Sequence, residues 1–233
     1  VIMNIYGFQT LTLLDYPGVV ACTVFLGHCN FRCPFCQNGN LVLHPEREPL
    51  IDEETVFSHL EKRKGLLDGV CITGGEPTLE SELPDFLGKV REMGYRIKLD
   101  TNGYRPEVLK SLAEAGLVDY VAMDIKNSPD RYGETAGLAD LDVLRIQKSA
   151  EFLMCGAVDY EFRTTVAREL HGRAEFERIG KWLAGCRKYC LQNYRESEFV
   201  LQPVFSGYSR EQLERFRELL LRSIGQVEVR GVD

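Results

Sequence analysis

"VVACTVFLGHCNFRCPFCQN", residues 19–38, joins two unlike halves. Residues 19–26 are β-branched and apolar, the composition of a strand buried on both faces. Immediately after them Cys29, Cys33 and Cys36 fall within eight positions, spaced C-x3-C-x2-C. A chemically loaded loop leaving the carboxyl end of a buried strand is the arrangement of parallel α/β folds, which bind ligands at that end.

The rest of the chain repeats the unit. "GVCIT" (69–73), "YRIKLD" (95–100), "DYVAMDI" (119–125), "YEFRTTV" (160–166) and "SEFVLQPV" (197–204) read as strands, and "QVEVR" (226–230) as a short last one. Helices are predicted between them at 51–65, 81–94, 106–116, 140–154, 173–188 and 209–223. The first has acidic residues in its first turn and basic ones in its last. The third has Pro106 at its start and Gly116 at its end. Alternating strands and helices imply a parallel sheet with helical crossovers. Six βα units are too few for an eight-fold barrel, and the rhythm alone also suits a doubly wound sheet. The expected fold is α/β, a partial (βα)6 TIM-like barrel, forming a single domain over residues 1–233.

The 233 residues carry 28 Lys+Arg against 35 Asp+Glu, a net charge of −7. An acidic chain without basic blocks is a poor binder of nucleic acid, which is held through its phosphates. "VIMNIYGFQT" (1–10) lacks the basic-then-apolar pattern of a signal peptide, and "VVACTVFL" is too short to span a bilayer. A cytoplasmic protein with no membrane partner is expected.

The polar clusters recur at strand ends: the cysteine loop, "GGEP" (74–77), "DTNG" (100–103), "DIK" (124–126), Arg163, and "QP" (202–203). One site assembled across the sheet is implied. Three cysteines leave its metal open. Zinc would need a fourth ligand such as His28 or His44, though His28 adjoins Cys29 and wraps a tetrahedron awkwardly. A [4Fe–4S] cluster held by three thiolates would keep one iron open to an exogenous ligand.

C-x3-C-x2-C with Phe35 before the last cysteine, followed by "GGEP" after the next strand, resembles the radical S-adenosylmethionine (SAM) superfamily. "LDYPG" (14–18), "CPFCQN" (33–38), "TGGEPTL" (73–79), "DTNG" and "MDIK" (123–126) extend the likeness to activating enzymes of glycyl radical enzymes. The opening is most similar to anaerobic ribonucleoside-triphosphate reductase activating proteins. The resemblance implies one [4Fe–4S] cluster on Cys29, Cys33 and Cys36, with SAM bound to the fourth iron. It implies that Gly74 and Gly75 let the backbone approach the methionyl end and that Glu76 holds its ammonium. Phe35 and Gln37 would flank the adenine, and Asp124, Ile125, Lys126 and Arg163 would contact SAM. In the pyruvate formate-lyase activating enzyme, positions matching Asp100, Thr101, Asp124 and the Ala122 carbonyl hold a monovalent cation. The matching position to Asp15 lies near the bound substrate loop. The implied reaction is reductive cleavage of SAM to methionine and a 5′-deoxyadenosyl radical, which takes a hydrogen from a glycine of a partner glycyl radical enzyme. A low-potential donor such as flavodoxin or ferredoxin would supply the electron. The chain departs from the pattern at Gln37 and Phe205, where histidines occur. A small-molecule radical SAM enzyme, such as a deazapurine synthase, shares the cysteines and GGEP, and a non-enzymatic zinc-binding module is the alternative from a different class.

Other residues have plainer readings. Cys22, Cys71 and Cys155 are expected to be packing residues. Cys186 and Cys190, at i and i+4 of the predicted 173–188 helix, would share a face and pack there. His59 and His171 read as surface residues, 215–222 as a core-facing amphipathic stretch, and 127–137 as a partner-facing or solvated loop.

Overall fold

Five expected strands form within two residues of their predicted bounds. They are β2 (Ala21–Leu26), β3 (Gly69–Gly74), β4 (Arg96–Thr101), β5 (Tyr120–Asp124) and β6 (Asp159–Val166) in the computed structural model, which describes residues 2–232. Val1 and Asp233 of the expected 1–233 domain lie outside the described residues. The last strand, β8 (Gln226–Arg230), also forms as expected. Two further strands were not predicted: β1 (Ile5–Thr12) and β7 (Lys188–Asn193). The eight-stranded sheet runs in chain order from β1 to β8. β1 pairs antiparallel with β2, and every later neighbour pairs parallel. β1 and β8 are not neighbours in that order, so the barrel is open.

Helices α2 (Glu53–Lys62), α3 (Leu83–Glu92), α4 (Pro106–Glu114), α6 (Val143–Met154), α7 (Arg173–Trp182) and α8 (Arg210–Leu220) make the crossovers. Two shorter helices, α1 (Gly39–Leu43) and α5 (Tyr132–Ala136), lie in loops. α3 shows the logic: Leu83, Phe86, Leu87 and Val90 recur at helical spacing and are buried. Each such side chain contributes about 1.5–3 kcal/mol on burial.

The sheet's two faces differ. Ile97, Leu99, Val121, Met123 and Phe162 pack into the apolar core beneath the helices. The alternate positions carry Lys98, Asp100, Asp124, Glu161 and Arg163, which pair with one another or with their neighbours inside the barrel. Pleating with period two separates these sets.

The sixth parallel strand is displaced from its predicted place. The helix expected at 173–188 ends at Trp182, and Gly185 beyond it takes a left-handed φ of 86° that L side chains resist. The freed residues 188–193 pair with β6 and β8. Cys186 and Cys190 therefore share no helix face: one lies in the turn, the other in β7, and both are buried. Residues 197–204, expected to be a strand, instead form an irregular strap. Its backbone ties to the cysteine loop through Leu201 N–H to Cys36 O at 3.3 Å and Gln202 N–H to Pro34 O at 2.9 Å. Pro203 lacks a ladder donor, and Phe199 and Val204 are exposed.

Cys22 and Cys71 are buried as expected, whereas Cys155 is exposed just beyond α6. His171 is buried rather than at the surface, and His59 is half-buried with its Nε2 3.1 Å from Thr10 O. Among the described residues no helix is long and apolar enough to cross a membrane.

Candidate active site

The cysteine loop is held from three sides. On the first, Gly75 N–H donates to Leu26 O at 2.9 Å and Glu76 N–H donates to His28 O at 2.8 Å. A Cβ on Gly75 would lie 1.7 Å from His28 O, and one on Gly74, whose φ is 117°, 2.2 Å from Leu26 O. The glycine pair thus makes room for the chain's own backbone, a different reason from the ligand approach expected of it. His28 itself takes a left-handed φ of 57° in this turn. On the second side, Arg32 N–H donates to Ala136 O at 2.9 Å, and Gly137 packs so closely that a Cβ would sit 2.2 Å from Arg32 O. The segment 127–137 therefore braces the loop: Asn127, Ser128, Tyr132 and Thr135 are buried in it, while Asp130, Glu134 and Gly137 stay exposed. On the third, the strap is tied to Cys36 and Pro34 as described, and Gln37 Nε2 donates to Arg195 O, just ahead of the strap, at 2.6 Å. Phe35 is buried, edge-on to His171 and to Phe205.

These elements enclose a cavity of about 220 Å³. Cys29, Cys33, Cys36, Phe35 and Gln37 line it from the loop. Gly74, Gly75 and Glu76 line it from the end of β3, and Asp100 and Thr101 from β4. Asp124, Lys126 and Arg163 close the far side. Burial pushes the Cys29 thiol up to about 12 and Cys33 to about 11, and raises Cys36 as well. Three thiols facing one cavity, Cys33 buried and Cys29 and Cys36 half-buried, suit a metal group that supplies the positive charge needed to strip their protons. Among the described residues no three His, Cys, Asp or Glu side chains gather closely around one point. His28 is exposed, and His44 Nδ1 pairs with Glu46 at 3.2 Å. The donor set fits the three-thiolate [4Fe–4S] alternative.

Opposite the thiols stands a chain of charges. Arg163 Nε donates to Asp124 Oδ1 at 2.7 Å and its Nη1 to Asp100 Oδ2 at 3.2 Å. Lys126 Nζ donates to the other Asp124 oxygen at 2.8 Å, and buried Lys98 pairs with Asp100. Burial opposes ionisation of Asp124, but the Arg163 guanidinium and Lys126 ammonium outweigh it and hold the carboxyl well below the usual carboxylate range. Asp100 is lowered in the same way, against its burial, by Arg163 and Lys98. Glu76 is a crosslink. Its Oε1 accepts from Thr101 Oγ1 at 2.8 Å and its Oε2 from Asn102 N–H at 2.7 Å, tying β3 to β4. Burial nevertheless pushes its pKa up, partly offset by the Thr78 hydroxyl, Asn102 N–H and Thr101 hydroxyl donors.

Three singled-out residues are not on the cavity wall. The Ala122 and Ile125 side chains are fully buried in the core. Asp15 lies in the loop between β1 and β2, where its Oδ2 accepts from Thr23 Oγ1 at 2.6 Å. Conversely, Asn38, Asn102 and Gln192 line the cavity and were not singled out. Asn38 Nδ2 donates to Gly74 O at 2.9 Å. Asn38 and Asn102 stood inside quoted motifs, whereas Gln192 was hidden by the misplaced strand.

A family model described as the Radical SAM superfamily matches residues 23–151, more than half of the chain. The chain is 29% identical, over 97% of its length, to a candidate glycyl-radical enzyme activating enzyme of Methanocaldococcus jannaschii, of which it covers 92%. It is also 29% identical, over 68% of its length, to the 7-carboxy-7-deazaguanine synthase of Koribacter versatilis, of which it covers 66%. Among solved structures, Streptococcus suis SuiB bound to its precursor peptide SuiA superposes with a TM-score of 0.72 at 15% identity, over 90% of this chain and 48% of that one. QueE from Escherichia coli gives 0.55 at 16% identity, over 91% and 89%. These two likenesses are of fold, and the chain spans about half the length of SuiB.

Proposed function

The chain belongs to the radical SAM superfamily, and from that premise we propose that it is the activating enzyme of a glycyl radical enzyme. It is a radical SAM oxidoreductase, and the family implies a [4Fe–4S] cluster and SAM. The observation that carries the finer reading is the end-to-end match to the Methanocaldococcus candidate activating enzyme, 97% of this chain against 92% of that one. The match to the deazaguanine synthase stops at about two thirds of each chain.

In this proposal Cys29, Cys33 and Cys36 hold the cluster. When bound, cluster and SAM together supply low-potential one-electron chemistry that ends in removal of a hydrogen atom from substrate. The chain's own residues bind and orient. Glu76 presents a buried carboxylate to the SAM ammonium while remaining anchored to Thr101 and Asn102. Lys126 and Arg163 offer positive charge to the SAM carboxylate. Phe35 and Gln37 bound the adenine side, and the backbone at Ile125 extends the DIK strand end toward the ligand. A monovalent cation at Asp100, Thr101, the Ala122 carbonyl and Asp124 would share oxygens that Arg163 and Lys126 already hold. It binds only if those partners yield, and SAM affinity then depends on the ion supplied. Residues 1–233 act as one radical SAM unit in the cytoplasm, reduced by a flavodoxin- or ferredoxin-like donor. The partner is a glycyl radical enzyme of the anaerobic ribonucleoside-triphosphate reductase kind. Its glycine loop reaches the barrel interior near Asp15.

The test is the anaerobic enzyme with that reductase deuterated at its glycine Cα. A glycyl radical should appear by electron paramagnetic resonance, and deuterium should appear in 5′-deoxyadenosine; an active partner without label transfer would rule out direct abstraction. Asp15→Asn keeps the hydrogen bond to Thr23 and removes the charge. It should bind SAM normally yet yield several-fold fewer glycyl radicals, and a full yield would leave Asp15 a turn residue only. The deazapurine reading rests on the shorter Koribacter match, and turnover of a small-molecule deazapurine precursor without any protein partner would establish it instead.

A further inference from the structure

Asn102 is the buried polar side chain at the site that the proposed reaction leaves unused. It follows β4 directly and is 5% exposed. Its Oδ1 accepts from Tyr104 N–H at 2.9 Å, which fixes which way the amide faces. Its NH₂ group therefore points the other way, where two acceptors stand: Asn30 Oδ1 at 2.7 Å and Cys29 Sγ at 3.8 Å. A side-chain amide has two N–H donors, so both can be served. Phe31 N–H donates to the same sulfur at 3.3 Å. Among the described residues no side-chain donor is placed on Cys33 or Cys36, so the three thiols are not equivalent. Asn30 Oδ1 itself lies 3.9 Å from Cys29 Sγ. One amide thus brings a donor to the sulfur and the other brings an acceptor.

From this geometry we infer that Asn102 is a tuning residue for the cluster, whose amide donor at Cys29 raises the reduction potential, and that the Asn30 oxygen, competing for that amide and facing the same sulfur, limits the rise. The inference rests on the assignment of Cys29, Cys33 and Cys36 to a [4Fe–4S] cluster. Reduction adds an electron to a group whose negative charge is spread over its sulfurs. A donor on a ligand sulfur stabilises the reduced form, and an acceptor oxygen facing the same sulfur opposes it. The backbone N–H of Asn102 is fixed to Glu76 Oε2, so the side chain stands on a rigid base rather than a mobile loop.

The experiment is a redox titration of the full chain, reconstituted anaerobically with iron and sulfide and without SAM or partner. Iron content is measured first. Asn102→Leu keeps the side chain's size, removes the amide and adds no charge. It should keep about four irons per chain and hold about tenfold less reduced cluster at a fixed potential, a midpoint about 59 mV lower for a one-electron couple. Asn30→Ala removes the competing oxygen and should move the midpoint upward. Opposite shifts are what general loosening of the loop cannot produce. An unchanged or higher midpoint in Asn102→Leu, or an unchanged or lower one in Asn30→Ala, overturns the inference. Should Asn102→Leu fail to hold iron, the Asn30→Ala shift decides alone. A wild-type chain without about four irons overturns the cluster assignment, and this inference with it, before any variant is compared.

Discussion

The two walls of the cavity are built on different principles. The wall from Leu26 to Glu76 is steric: backbone lies against backbone, and Gly74 and Gly75 have no space for a Cβ. The wall from Asp100 to Arg163 is electrostatic: Asp100 and Asp124 are neutralised by Lys98, Lys126 and Arg163. A steric wall tolerates almost no change of shape. A charge-balanced wall tolerates changes of shape but not of sign. The first is suited to presenting three thiols in one arrangement, the second to exchanging its internal partners for a zwitterionic ligand.

Substitutions can break this contrast, beginning with the largest expected effect. Cys33→Ala should abolish iron binding, whereas Cys190→Ala, in the core of β7, should retain about four irons per chain as one cube requires. Loss of iron in both would end the single-cluster reading. Gly75→Ala comes next, because its Cβ would meet His28 O at 1.7 Å. A cost of about 3 kcal/mol or more is expected from such overpacking, measured by denaturant unfolding of the metal-free chain. A variant of wild-type stability would mean that the loop moves freely and the wall is not steric.

Arg163→Met tests the second wall. It leaves Asp100 and Asp124 short of a counter-charge and should cost about 3 kcal/mol at neutral pH. The acid limb sharpens it. Both carboxyls are held below their ordinary values, so their pairing contributes fully above about pH 4 and is lost as the pH falls through their folded values. The stability gap between Arg163→Met and wild type should therefore narrow in strong acid. A gap constant with pH would assign the loss to packing. The smallest effect, read as ligand affinity, is expected for Asp124→Ala, where Arg163 retains Asp100 as partner and Lys126 loses its carboxylate. SAM affinity should fall by about tenfold, near 1.4 kcal/mol, and equal affinity by calorimetry would remove Asp124 from the binding machinery.

The walls also differ in how far they could be read beforehand. The cysteine triad, GGEP and DTNG are short-range patterns, each directly after an apolar run, so their strand ends were legible. The braces were not. Arg32 meets Ala136 across more than a hundred residues, and nothing in the local composition of 127–137 separates a buried brace from a solvated loop. His171 went unrecognised for the same reason: its Nε2 lies 2.7 Å from Lys126 O, a contact 45 residues away. β7 was misread because the helical pattern of 173–182 was carried past Gly185, a stop signal whose left-handed backbone becomes visible only in three dimensions.

Sequence by itself determined strands β2 to β6, the motifs at their ends and the thiol set, because each depends on residues within a few positions of one another. Only the tertiary structure decided how charge is balanced inside the barrel and which backbone fills the space left by Gly74 and Gly75. It also decided which amide reaches Cys29. Parallel pairing sets side by side strands that are tens of residues apart, and hydrogen bonds and ion pairs act only over the few ångströms that this pairing creates.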